Sequence, residues 1–525
     1  MKQNLLACVV AAMVLTGCAP RHPGDLRVID SLRVEIEGLL HEQSLMEYNG
    51  WAYGSPSNQD SLYRAHQGLF SRDNLDLVTR AWKEEPDSVQ RQRLAYLLRH
   101  LTLGILAKGA APLTDRASTY EGQASVSFEG KRIPYRQLAS MLANEREANR
   151  RLRLYSAADA VLDSLSSLAR QVNSSYYRLA SDLGYPSYSK MVEELKGFSL
   201  QEASFLAESA LAATDSLYFA ILPQILSHYT DLDTSRFYRY DTGMLFRNPV
   251  FDPYFPKANL VPSAQETYRS LGLDLSAQNN LRIDTTERPG KSPRAACFAI
   301  DVPDDIRISI KPNGGFDDYA ALFHELGHAE HYANTAEHAM EFKYLGVPTV
   351  TETYAFLSEY LCCNPSWLRS RSSMPVFALK DYVRFQAFYR LYYVRRYCAK
   401  VLYEQQLHAG AAGAEKIYAG LLSRALGTKP VPADEKRFLV DVDPHYYSVE
   451  YLRAWFLEAQ LNQWLSRTYG SNWFESPPAG AFLRSLWAKG DRLTADALLA
   501  AIGERNISTG AWIATINDML RFSSR

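Results

Sequence analysis

The sequence predicts a mainly α-helical protein with one small β-sheet. Three observations carry that expectation: long stretches with apolar residues at three-to-four spacing, one segment of β-type pattern, and no internal repeat or low-complexity tract. The chain has 525 residues, with 57 basic and 58 acidic side chains and a net charge of −1. That balance offers no field to hold a polyanion, which speaks against a general nucleic-acid binder. Hydrophobic residues make up 47%, with 33 Tyr, 22 Phe and 8 Trp, so a sizeable core can be buried and intrinsic disorder is excluded.

The elements follow in chain order. Met1-Lys2-Gln3-Asn4 gives a basic start, and Leu5 to Leu15 is uncharged, apolar and too short to span a bilayer comfortably, so residues 1–17 read as a secretory signal. Leu15-Thr16-Gly17-Cys18 resembles the lipobox of bacterial lipoproteins. That resemblance implies cleavage before Cys18, acylation of its thiol and new amine, and a hold on a membrane through buried CH₂ groups. Residues 18–29 are then expected to form a lipidated tether, where Pro20, Pro23 and Gly24 discourage regular structure. The expected address is outside the cytoplasm, anchored to a bacterial membrane and facing the periplasm or exterior. Ala19 lacks the acidic retention signal of the inner membrane, which favours the outer one. No later run of eighteen apolar residues occurs, so the remainder is expected to be soluble.

Residues 30–49, 91–107, 135–179 and 200–228 carry the helical period and make up a first half, about residues 30–228. Within it, Glu145-Arg146-Glu147 followed by Arg150-Arg151 mixes signs at helical spacing and reads as a solvated face. Residues 229–262 hold Pro249, Pro253, Pro256 and Pro262 without a persistent period, so an irregular junction is expected there. The second half, residues 263–525, opens on the β signal. Ala296-Cys297-Phe298-Ala299-Ile300 and Ile306-Arg307-Ile308-Ser309-Ile310 flank residues 301–305 and suggest a hairpin. Asn313-Gly314-Gly315 breaks the second strand. A helix is expected from Phe316 to about Asn334, and another from near Thr351 to beyond Cys363, after the break at Gly346-Val347-Pro348. Cys297, Cys362, Cys363 and Cys398 are too few for a disulfide framework, and the adjacent pair reads as small core residues.

The first of those helices contains His324-Glu325-Leu326-Gly327-His328, an H-E-x-x-H motif. Residues four apart leave a helix on one face, so both imidazoles can bind one Zn²⁺. Glu325 lies about 100° round the helix, where it can reach a water beside the metal without ligating it. A catalytic zinc needs a third protein ligand and an open position. A metzincin would need Gly at position 331 and His at 334; the chain has His331 and Asn334. The ligand is therefore expected to be a carboxylate on the second helix, with Glu352 the best placed, 24 residues after His328. Glu337 and Glu341 follow His328 too closely to return to its face. Glu359, two turns beyond Glu352, could orient a ligand histidine from behind or be a surface carboxylate.

The motif helix, the Glu352 spacing and the preceding strand resemble the gluzincin peptidases of the thimet oligopeptidase and oligoendopeptidase F family. The angiotensin-converting enzyme family is next in likeness. The most specific likeness spans residues 296–363, with weaker echoes in Asn49-Gly50-Trp51-Ala52-Tyr53, Leu183-Gly184-Tyr185-Pro186-Ser187-Tyr188 and Asp443-Pro444-His445-Tyr446-Tyr447. The resemblance implies one peptidase unit over residues 30–525, with two helical halves flanking a deep channel and one zinc per chain at its floor. It also implies that a downstream His and Tyr steady the oxyanion; His445, Tyr447 and Tyr451 lie where that pair is expected. A further family Tyr three residues after Tyr451 is replaced by Ala454, so either Tyr447 or Tyr451 fills the role, or the contact is altered. Converting enzymes place a Lys two residues before the His, where this chain has Asp443; that favours an oligopeptidase over a dipeptidyl carboxypeptidase.

The expected activity is hydrolysis of short peptides. Zinc acidifies a water, Glu325 takes its proton as general base, and zinc with a Tyr or His steadies the oxyanion. The strand at Ala296, Cys297 and Phe298 is expected to pair with an extended substrate by β-addition. The alternatives are a dipeptidyl carboxypeptidase, a non-catalytic peptide-binding lipoprotein that keeps the fold, and a metal-dependent hydrolase of another amide or ester.

Overall fold

A computed structural model describes residues 23–524, apart from residue 57. The expected signal (residues 1–17) and the acylated Cys18 lie outside the described residues. The first helix runs Pro23–Tyr53, so regular structure begins within the expected tether rather than at Asp30. Proline suits a first helical position because its fixed φ is helical and its missing N–H would have no partner there.

The chain is mainly α, as expected. Its long helices are Pro23–Tyr53, Ser88–Gln123, Asp159–Asp182, Leu200–Tyr229, Val376–His408 and Tyr447–Tyr469. Val376–His408 is apolar on most sides, with Leu379, Val383, Phe388, Leu391, Val394 and Val401 buried round its circumference, which makes it a central helix. Leu200–Tyr229 is long and apolar enough by composition to cross a membrane, yet Ala203, Ala207, Ala210, Thr214 and Tyr218 recur at three-to-four spacing and are buried against protein. One apolar cluster runs from Leu106 to Met519 and takes in side chains from before and after the junction.

Two expectations about the first half are corrected. The continuous helical reading of residues 135–179 breaks into a 3-10 turn and the helices Leu138–Asn144, Ala148–Ser156 and Asp159–Asp182. The mixed-charge cluster is not wholly a solvated face. Glu147 caps the Ala148–Ser156 helix by accepting from Asn149 and Arg150 N–H, but Arg151 is buried and donates to Asp241 at 2.7 Å. A buried guanidinium needs such a partner to offset its desolvation.

The described residues form five strands. β1 (Ser125–Phe128) and β2 (Lys131–Pro134) make a hairpin that the sequence reading missed; its two-residue turn, Glu129-Gly130, has positive φ at both positions, the geometry that matches strand twist. β3 (Leu281–Asp284), β4 (Ala296–Asp301) and β5 (Asp305–Ser309) form a second sheet in the order β3-β5-β4. The β4–β5 hairpin is the expected one, and β3 adds to it in parallel. Residues 229–262 fold as 3-10 turns and the short helix Thr242–Arg247, with the next helix starting at Leu260, close to the irregular stretch anticipated.

β4 lies at the sheet edge. Phe298 packs its ring against Tyr48 and Trp51, so the Asn49–Tyr53 segment seats the strand. Along the outer edge, Ser44 donates to the Ala299 carbonyl at 3.0 Å and His41 contacts that of Ile300 at 3.1 Å. Among the described residues, no strand lies beyond the stretch Ala296–Phe298.

Candidate active site

The motif helix, Phe316–Ala333, starts at Gly315, whose φ of 101° is one that a side chain rarely adopts. Pro348 opens the second helix, Pro348–Glu359, three residues earlier than Thr351, and a 3-10 turn, Tyr360–Cys363, follows it. Cys362 and Cys363 are buried, as expected. The two helices run antiparallel: His324 meets Glu359 while His328 meets Thr351.

Gly327, inside the motif, allows this close approach. A Cβ there would lie 2.3 Å from the Tyr354 carbonyl oxygen and 2.5 Å from Ala355 Cα. Gly327→Ala improves helix propensity by roughly 0.8–1 kcal/mol, but it drives a methyl group into backbone that cannot swing aside. Thermal denaturation is expected to show a net loss of roughly 1–3 kcal/mol; an unchanged or higher midpoint would mean that the helices are further apart.

Two imidazoles and one carboxylate converge between the helices. Ligand atoms of His324, His328 and Glu352 all lie within 4.8 Å of one another. Glu352 Oε2 is 3.5 Å from His324 Nε2 and 3.7 Å from His328 Nε2. Both separations exceed a hydrogen bond, and Oε2 is buried without a hydrogen-bond partner. The opposite edge of each ring is committed: His324 Nδ1 meets Glu359 Oε2 at 2.9 Å, and His328 Nδ1 meets Thr351 Oγ1 at 2.8 Å. The Glu359 carboxylate can only accept, and where the Thr351 hydroxyl also accepts, each neutral ring turns an Nε2 lone pair inward, which is how ligand histidines are oriented. Glu352 Oε1 accepts from the Tyr447 hydroxyl at 2.7 Å.

The electrostatics favour a cation at that point. Burial alone would lower His324, yet the nearby carboxylates of Glu352 and Glu359 hold it well above its ordinary pKa. Burial alone would raise Glu352, yet His328, His324 and Tyr447 bring it below the usual carboxylate value. His328, buried without a carboxylate at Nδ1, falls to about 4. An orphaned anionic oxygen facing two imidazole nitrogens is a donor set that fits Zn²⁺.

Glu325 stands beside this cluster without joining it. Burial raises its carboxyl, opposed by the charge of His324 and by a backbone hydrogen bond from Cys297 in β4. The predicted base and the predicted substrate strand are thus neighbours. His324, Glu325 and Glu359 line a cavity of about 870 Å³. The same cavity is lined by Phe246, Tyr389, Tyr392 and Tyr393 together with Arg239 and Arg396, none of which the sequence pattern singles out. Glu341, set aside earlier, is buried and pairs with Arg33 and Arg93.

The three downstream candidates separate. Tyr447 is spent on Glu352. Tyr451 packs against Tyr447, Phe356 and Tyr397, and its hydroxyl has no hydrogen-bond partner among the described residues. His445 meets the Tyr188 hydroxyl and packs at a tilt against the Tyr176 ring. His445 and Tyr446 are both left-handed, at φ 51° and 55°. Two such residues in succession store strain of roughly 1–3 kcal/mol each, so the surroundings must hold them. Asp443 is held by Lys400 at 2.9 Å, and its N–H donates to Glu404.

No family model matches the chain, and no curated protein matches it. Among solved structures, a Bacillus anthracis str. Ames protein provisionally described as an oligoendopeptidase F superposes with a TM-score of 0.69 at 14% identity, over 95% of this chain and 92% of that one. The likeness is one of fold. The mainly α fold is thereby shared with that structure over nearly the whole length of both chains.

Proposed function

We propose that this chain is a zinc-dependent metallopeptidase of the oligopeptidase type, acting on short peptides. The observation that carries the reading is the orphaned Glu352 oxygen facing two back-braced imidazoles, with Glu325 and an edge strand alongside. His324, His328 and Glu352 would hold one zinc, which when bound supplies a Lewis acid and lowers the pKa of water towards neutrality. Glu325 accepts a proton from the attacking water and returns it to the leaving amine. Tyr451 is the better placed phenol to donate a hydrogen bond to the carbonyl oxygen as charge develops there, since Tyr447 is committed to Glu352. The edge of β4 at Ala296, Cys297 and Phe298 borders the cavity approach and would take an extended peptide, with the Cys297 N–H already given to Glu325, and the adjoining cavity limits what enters.

The reading extends to export and a lipid anchor at Cys18. A series of quenched peptides of graded length, with and without a chelator, tests the activity. Cleavage of short peptides that stops on chelation and returns with zinc is expected. Full activity in chelator, or none on any length, would contradict it.

A further inference from the structure

Two segments with weak family echoes, far apart in sequence, meet in the structure. The helix Tyr188–Lys196 lies against the left-handed pair that precedes Tyr447. Tyr188 Oη lies 3.1 Å from the His445 backbone nitrogen and 2.9 Å from His445 Nδ1. Its neighbour Ser189 contacts the Tyr446 hydroxyl at 2.7 Å. At the other end of the helix, Lys196 is buried beside Glu450 and faces the Tyr447 ring at 5.8 Å.

The double contact of Tyr188 has a chemical consequence. A backbone N–H can only donate, so the Tyr188 oxygen accepts from His445 N–H. The phenol proton then needs an acceptor, because Tyr188 is buried and has no other hydrogen-bond partner among the described residues. His445 Nδ1 is the acceptor within reach. We infer that Tyr188 is a positioning residue that fixes neutral His445 with its proton on Nε2, making the ring's free edge a hydrogen-bond donor. The ring is suited to stay neutral: burial, with Lys196 and His408 nearby, lowers it to about 3. The same hydroxyl braces the strained backbone that leads into Tyr447 and Tyr451. The tautomer stands on geometry alone; its effect on turnover rests on the peptidase reading above.

The test uses the full chain with zinc, labelled with ¹⁵N-histidine, and assigns His445 by the resonances missing from H445Q. The expected spectrum shows Nδ1 of the unprotonated type and Nε2 of the protonated type. In Tyr188→Phe, both tautomers should be populated. Peptide kcat should fall by about tenfold, the worth of one ordinary hydrogen bond, with KM little changed. A proton on Nδ1 in the wild type would overturn the inference, as would an unchanged tautomer in Tyr188→Phe. If that variant does not fold, the wild-type spectrum decides alone. Absence of turnover in the wild type would sink the peptidase reading while leaving the tautomer assignment intact.

Discussion

Glu325→Gln is expected to lower peptide turnover by roughly 10²–10⁴-fold, the contribution of a positioned general base, while leaving zinc content and thermal midpoint unchanged. The amide keeps the shape and can still accept from the Cys297 N–H, so the contact with β4 survives. Glu325 is not among the three residues whose atoms converge, so the donor set survives too. What disappears is the capacity to take and return a proton. Parallel measurement of kcat, metal content and melting separates chemistry from structure. Retained turnover would remove Glu325 from the mechanism, whereas loss of zinc would make it a ligand.

Glu352→Gln is expected to have the largest effect on metal affinity. The carboxylate is the sole anion in the donor set, and it is buried, so its charge acts in a poorly screened setting. The amide has no negative charge and offers a weaker donor. A competition titration against a chelator should show a loss greater than the roughly 10–100-fold typical when a group that only orients a ligand is changed. Glu359→Gln, which touches His324 but not the convergence point, should fall within that smaller range. Equal effects of the two substitutions would mean that Glu352 is not a ligand.

The parts of this site that could be read from the sequence are those fixed by helical period and chain direction. The one-turn spacing of His324 and His328 puts both rings on one face, and the break at Pro348 allows a second helix to return with Glu352 and Glu359 at matching heights. Gly327 sits within the motif and marks where the two backbones touch, a signal available in the sequence but passed over. Thr351, adjacent to Glu352, was equally available as a brace for His328. Other features depend on contacts between segments separated by about 25 to more than 250 residues, which no local pattern encodes. Tyr188 reaching His445, Arg239 and Arg396 lining the cavity, and β3 joining the hairpin in parallel are of that kind. Arg151 illustrates the converse: its local charge pattern suggested solvent, and a distant Asp241 made burial tolerable. The choice between Tyr447 and Tyr451 also needed tertiary contacts, since both sit one turn apart on the same helix.

The most direct measurement is zinc-edge X-ray absorption on the full chain loaded with one equivalent of the metal, together with the binding stoichiometry. The account predicts one tightly held ion with two imidazole nitrogens at about 2.0–2.1 Å and carboxylate oxygen in the same shell, with the imidazole signal halved in His324→Ala or His328→Ala. No stoichiometric binding, or a shell that keeps both imidazoles in those variants, would contradict it.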